Sequence, residues 1–170
     1  MGNEAEEEST AEEIRGENDG IKTGKSYPLE ETGELGLKLA SLIKPGMLIT
    51  LSGDLGAGKT TFTKYLGKGL GVKKTINSPT FTILKIYQGT SMPVYHIDAY
   101  RLEGITQDLG FEEYFEDDGV CVIEWPHFIE SQLPEERLHI DITRVEGEDE
   151  KRMFTFDPKG KVYEKIVEAL

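Results

Sequence analysis

The chain has 170 residues, with 32 Asp and Glu against 19 Lys and Arg, a formal net charge of −13. That length supports one domain with a real core, and the acidity argues against direct binding of a nucleic-acid backbone, which needs clustered cations. Cys121 has no second cysteine to pair with, no apolar run approaches membrane-spanning length, and the N-terminus lacks a basic and then apolar leader, so the chain is expected in the cytoplasm, away from membranes.

Acid is concentrated at the start. Residues 1–20 hold eight carboxylates against Arg15, a net charge of −7. Too few apolar side chains lie there to offset the entropy of ordering, so residues 1–25 are expected to be an acidic, disordered tail and residues 26–170 the folded domain. From Pro28 to Lys44 the spacing of Leu35, Leu39, Leu42 and Ile43 predicts a helix, with Pro28 at its start and Pro45-Gly46 as its stop; Gly33 and Gly36 weaken it. Met47–Leu51 predicts a buried strand. A second helix follows, with Phe62, Tyr65, Leu66 and Leu70 on one side and Gly69 and Gly71 near its end.

Further strands are predicted over Phe81–Tyr87, Pro93–Ile97 and Val120–Ile123, the last preceded by a short helix or turn at Glu112–Phe115. Cys121, inside that last apolar run, is expected to be a small buried hydrophobe. Leu138, Ile140 and Ile142 alternate with polar residues, as do Phe154 and Phe156 after a charged turn, which predicts a hairpin. Val162, Ile166 and Leu170 predict a closing helix. The mixture points to one α/β domain with a mainly parallel central sheet flanked by helices and an antiparallel C-terminal edge hairpin.

Between the strand ending at Leu51 and the second helix stands Gly53-Asp54-Leu55-Gly56-Ala57-Gly58-Lys59-Thr60-Thr61, which fits G-x4-G-K-S/T. Glycines let the backbone curl around an anion so that successive N–H groups face phosphate oxygens. The following helix adds its positive N-terminal end. Lys59 is placed to reach the β- and γ-phosphates, and the Thr60 hydroxyl to ligate Mg²⁺. Strand before and helix after supply the required context, so the loop is expected to hold a nucleoside triphosphate in a P-loop NTPase-like fold.

Such a site needs an acidic residue at the carboxyl end of a neighbouring strand. Asp98 follows Val94–Ile97 and Glu124 follows Val120–Ile123, at the edge where open α/β sheets bind ligands. One would serve the metal and the other would orient the attacking water; the residues alone do not assign the two roles, and either acid singly would also suit a turn cap. In Asn77-Ser78-Pro79-Thr80-Phe81-Thr82, the hydroxyls of Ser78, Thr80 and Thr82 suit a γ-phosphate switch, and equally a polar lead into a strand. His96, His127 and His139 lack metal-ligand spacing and are expected to be structural or at the surface. No Ser-His-Asp set is legible.

Four motifs in order, Gly53–Phe62, Ser78-Pro79-Thr80-Phe81-Thr82, His96-Ile97-Asp98-Ala99-Tyr100-Arg101-Leu102 and Glu124-Trp125-Pro126, resemble the TsaE (YjeE) family of bacterial tRNA threonylcarbamoyladenosine biosynthesis, from about Tyr27 to the C-terminal hairpin. The resemblance implies an ATP hydrolase, weak alone, that supports repeated turnover of the TsaB–TsaD threonylcarbamoyl transferase and meets tRNA only through those partners. It places Lys59 on phosphate, Thr60 and Glu124 at Mg²⁺, Asp98 in the acidic strand-end role and Trp125 beside the site. It also implies Thr32 near the nucleotide base and, on a loose match, Arg152 near the nucleotide. A small-molecule kinase on the same loop is the alternative. It would need an acceptor pocket and commonly an arginine-bearing lid, and Arg101, Arg137, Arg144 and Arg152 do not cluster in the sequence. A nucleotide-binding docking module with negligible hydrolysis is a third reading. A GTPase is disfavoured because no N-K-x-D guanine-reading motif is present.

Overall fold

The protein is described from a computed structural model covering residues 11–15, 21–54, 56–74, 76, 83–104 and 109–170, with residues 11–15, 21 and 101 described by their backbone only. Its elements are β1 (Ala11–Arg15), β2 (Ile21–Pro28), α1 (Thr32–Leu42), β3 (Leu48–Gly53), α2 (Lys59–Gly69), β4 (Leu84–Gln88), β5 (Pro93–Asp98), α3 (Glu112–Phe115), β6 (Val120–Glu124), β7 (Arg137–Val145), β8 (Glu148–Lys159) and α4 (Lys161–Ala169). Short 3-10 turns follow β2, β5 and β6.

One sheet takes the order β1-β2-β8-β7-β3-β6-β5-β4. Its centre, β7-β3-β6-β5, is parallel, and both flanks are antiparallel. The centre reads as continuous apolar sequence because helices or turns cover both faces of a parallel sheet; all five residues of β6 are buried. Alternate residues along each strand then feed opposite cores. Ile49, Leu51, Val122, Ile140, Phe154 and Phe156 meet Leu39 of α1, Phe62 and Leu66 of α2 and Ile166 of α4 in one core. Leu48, Ile97, Cys121 and Ile123 pack with Leu102, Phe111, Phe115 and Ile129 in the other.

Gly33 and Gly36, which argued against the first helix, are part of its packing. A Cβ on Gly36 would stand 3.0 Å from the Phe62 carbonyl oxygen, and one on Gly33 would stand 3.0 Å from the Tyr65 ring. The two helices therefore approach to backbone contact, at the local helix-propensity cost that glycine carries.

The amino-terminal side differs from expectation. Pro28 ends β2 and α1 begins at Thr32. The boundary expected at residue 25 falls inside β2, and residues 11–15, expected in the tail, form β1 against β2. Ile-Lys-Thr-Gly-Lys-Ser-Tyr-Pro has no apolar alternation to announce a strand. Backbone pairing to β8, with Thr23 opposite Phe156 and Tyr27 opposite Arg152, supplies what the side chains do not. The C-terminal hairpin β7–β8 is antiparallel as expected, and β2 covers its outer strand.

Candidate nucleotide site

Strand β3 delivers the chain to Gly53 at a φ of +134°. A Cβ there would lie 1.8 Å from the Ile142 carbonyl oxygen of β7, so glycine is required by space as well as by conformation. Gly56 and Gly58 follow at φ +73° and +116°. The C-terminal hairpin clamps the loop: Asp54 N–H donates to Ile142 O at 3.2 Å, and Arg144 N–H donates to Asp54 Oδ2 at 3.2 Å. Within the loop, Ala57 N–H donates to Asp54 O at 3.1 Å. The buried Arg152 guanidinium donates through Nε to Ala57 O at 3.0 Å and through Nη1 to the Asp149 and Lys151 carbonyls. Arg152 is thus committed to backbone oxygens and shapes the loop. Arg144, weighed in the sequence only as an arginine for a kinase lid, sets Nη2 3.0 Å from where a Cβ on Gly56 would stand.

Lys59 opens α2 and is buried. Its ammonium donates to Gly53 O at 2.9 Å and stands 4.0 Å from the centre of the Trp125 ring, a cation–π contact. Burial lowers its pKa, and the carboxylates of Glu124, Asp141, Asp98 and Asp54 act in the opposite direction. Trp125 is the one non-glycine residue at positive φ among the described residues (φ 58°, ψ 53°). Such a backbone costs about 1–3 kcal/mol. The Trp125 N–H donates to Leu51 O at 3.1 Å across from β3, which holds the indole over the loop.

Asp98 and Glu124 are register partners at the ends of the parallel strands β5 and β6. Asp98 Oδ1 accepts the Tyr100 N–H at 3.1 Å and so caps the following turn. Glu124 Oε2 lies 2.8 Å from His96 Nε2, with both side chains almost wholly buried. His96 Nδ1 is buried without a hydrogen-bond partner among the described residues, and Glu124 is the imidazole's one partner there. Strand alternation sets His96 on the Asp98 face of β5; that two-residue step was the available signal for a residue expected to be merely structural or at the surface.

A second polar network lies behind the loop. Ser52 Oγ donates to Asp141 Oδ1 at 2.7 Å and lies 2.9 Å from His139 Nε2, while Thr50 Oγ1 lies 2.7 Å from His139 Nδ1. One proton arrangement satisfies all three contacts: Nε2–H donates to Ser52, and Thr50 donates to Nδ1. A serine, a histidine and an aspartate thus meet where none was legible. The acid accepts the serine hydroxyl's hydrogen bond instead of supporting the imidazole, so this is not a nucleophilic triad. Burial lowers the His139 pKa, opposed by Asp141 and Asp157 and reinforced by Arg137 and Lys159.

Gly56, Gly58, Lys59, Thr60, Thr61, Asp98, Glu124 and Trp125, all expected at the site, line one cavity of about 530 Å³ together with Tyr100. Tyr100 was not anticipated as a site residue. It is half exposed, with its ring 5.2 Å from that of Trp125. Gly53, Asp54 and Ala57 build the loop without lining the cavity. Thr32 is buried at the start of α1 with its hydroxyl unpartnered among the described residues, and its methyl is 3.8 Å from where a Cβ on Gly58 would stand. Leu55, Ser78, Thr80 and Thr82 lie outside the described residues.

The profile of the family described as "Threonylcarbamoyl adenosine biosynthesis protein TsaE" matches residues 27–154. The chain is 52% identical over 141 residues to the tRNA threonylcarbamoyladenosine biosynthesis protein TsaE of Bacillus subtilis, covering 83% of this chain and 88% of that protein. To the Streptomyces coelicolor protein of the same name it is 43% identical over 135 residues, covering 75% and 90%. The crystal structure of Bacillus subtilis YdiB superposes with a TM-score of 0.70 at 42% identity, covering 94% of each chain. With three of its four motifs brought to one cavity on a P-loop NTPase fold, and with the family profile matching residues 27–154, the chain belongs to the TsaE family of threonylcarbamoyladenosine biosynthesis proteins.

Proposed function

We propose that the protein is an ATPase that supports the N6-threonylcarbamoyladenosine modification of tRNA position 37 by working with a TsaB–TsaD transferase. One observation carries the ATPase reading: a three-glycine loop, the Lys59 ammonium and two strand-end carboxylates converge on a single cavity large enough for a nucleotide. Main-chain N–H groups of the loop and the α2 N-terminus bind the phosphates, and Lys59 exchanges the Gly53 carbonyl for a phosphate oxygen. Glu124, fixed by His96, orients a water for attack. Asp98 sits one strand away to hold charge near the metal.

Mg²⁺ fits the donor chemistry here. Among the described residues no three His, Cys, Asp or Glu side chains converge as a self-sufficient metal site. The Thr60 hydroxyl, Asp98 and Glu124 are the kind of partial oxygen set used when Mg²⁺ is shared with substrate phosphates and water. When bound, the ion would neutralise charge on the transferred phosphoryl group.

The deciding experiment measures phosphate release from ATP with and without purified TsaB and TsaD, alongside repeated modification of tRNA. Slow release alone and strong stimulation by the partners are expected. An unstimulated rate with transferase shown to be active, or phosphate appearing on a small-molecule acceptor, would overturn the reading.

A further inference from the structure

The total charge of −13 conceals a strong asymmetry. From residue 55 to residue 97 there are six lysines and no Asp or Glu, which leaves −19 on the rest of the chain. Soluble surfaces ordinarily intersperse both signs. Lys59 serves the nucleotide site. Lys64 and Lys68 are exposed one turn apart on α2, Lys73 and Lys74 are exposed on the loop after it, and Lys85 is half-buried on β4. None of these five forms an ion pair with a described residue.

Beside Lys73 and Lys74 a groove of about 570 Å³ runs along β4, walled by Ile86, Gln88 and Thr90. Ile86 is 53% exposed, an apolar side chain standing in this basic setting. Strand β4 ends the sheet and, among the described residues, pairs with β5 alone. An edge strand with an open row of N–H and C=O groups is a template for another extended segment.

From this juxtaposition we infer that the groove between the loop after α2 and the edge of β4 is a docking site for an extended, acidic segment of a partner protein. Main-chain pairing to β4 supplies affinity, an apolar side chain of the segment covers Ile86, and its carboxylates meet Lys73 and Lys74. Charge complementarity selects an anionic partner. The apolar wall and a strand edge left open by the described residues select polypeptide over RNA, whose phosphates need neither, and the −13 of the whole chain opposes a uniformly charged polymer most strongly. This inference does not depend on ATP hydrolysis, because none of the groove residues lines the nucleotide cavity.

The test measures fluorescence anisotropy of three labelled probes with the full chain: a short peptide alternating glutamate and valine, the same peptide with lysine for glutamate, and a single-stranded RNA of matched length. The glutamate peptide is expected to bind best, to weaken as salt rises, and to slow amide exchange across Leu84–Gln88. Lys73→Glu with Lys74→Glu is expected to weaken it by about tenfold or more, and Ile86→Asp to weaken it independently. Calorimetric ATP affinity serves as the control for folding and is expected to be unchanged in these variants. RNA binding more tightly than the glutamate peptide and lost in the same variants would overturn the inference. So would a wild-type affinity for the glutamate peptide no greater than that of the variants.

Discussion

His96 and Glu124 share one buried hydrogen bond, and the other imidazole nitrogen has no partner among the described residues. Removing the imidazole leaves a buried carboxylate short of a donor, a loss worth about 1–3 kcal/mol. His96→Gln retains an amide donor near the position of Nε2 and His96→Leu does not. The leucine variant is therefore expected to lower kcat with nucleotide affinity nearly unchanged, and the glutamine variant to recover much of the rate; phosphate-release kinetics across pH separate the two. Lys59→Ala is expected to abolish nucleotide binding by calorimetry while the fold persists, because the ammonium is the one lysine charge lining the cavity. The buried Cys121 thiol is pushed up to about 12 by desolvation, with Asp117 adding to it. It should resist iodoacetamide in the native protein and react quickly in denaturant.

At the scale of elements, the loop and its neighbours show what a sequence can and cannot announce. The P-loop was legible because its chemistry is local: nine consecutive residues contain both the turn and the cation. Strands β3 and β6 were legible because two-sided burial writes them as unbroken apolar runs. Strand β2 was not, since its stability rests on pairing to β8 and not on its own side chains. Arg144 reaches the loop, and Asp141 the network behind it, through pairing between distant strands, so spacing alone could not recruit them. Gly36 misled for a related reason: its cost to α1 is local, while its benefit, contact with α2, is tertiary. Gly36→Ala tests this directly. Alanine favours an isolated helix by about 1 kcal/mol, yet here its Cβ would meet the Phe62 carbonyl, so a net destabilisation of about 1–3 kcal/mol is expected from urea midpoints.

For the molecule as a whole, the far end of the chain governs the near one. Strands β7 and β8 hold the glycine loop through Ile142, Arg144 and Arg152, so the proposed nucleotide site is complete only once the last fifth of the chain has docked. Arg152→Met is expected to lower ATP affinity with little change in far-ultraviolet circular dichroism, because the loop loses its clamp and the sheet does not. Alkaline stability is likewise a property of the closed core. A thiol whose pKa is raised on folding favours the native state fully below its ordinary 9.0, and that contribution is lost as pH rises through 9.0 to about 12. Denaturation midpoints of the wild type and Cys121→Ala are expected to converge across that window.

Trp125 is the only tryptophan in the chain, and the Lys59 ammonium rests against its ring. The protein therefore carries an intrinsic optical probe at one address, with no second indole to dilute the signal. Any ligand that draws the cation away from the ring face should shift the emission, and a stopped-flow trace would then time the arrival of the phosphates without a label.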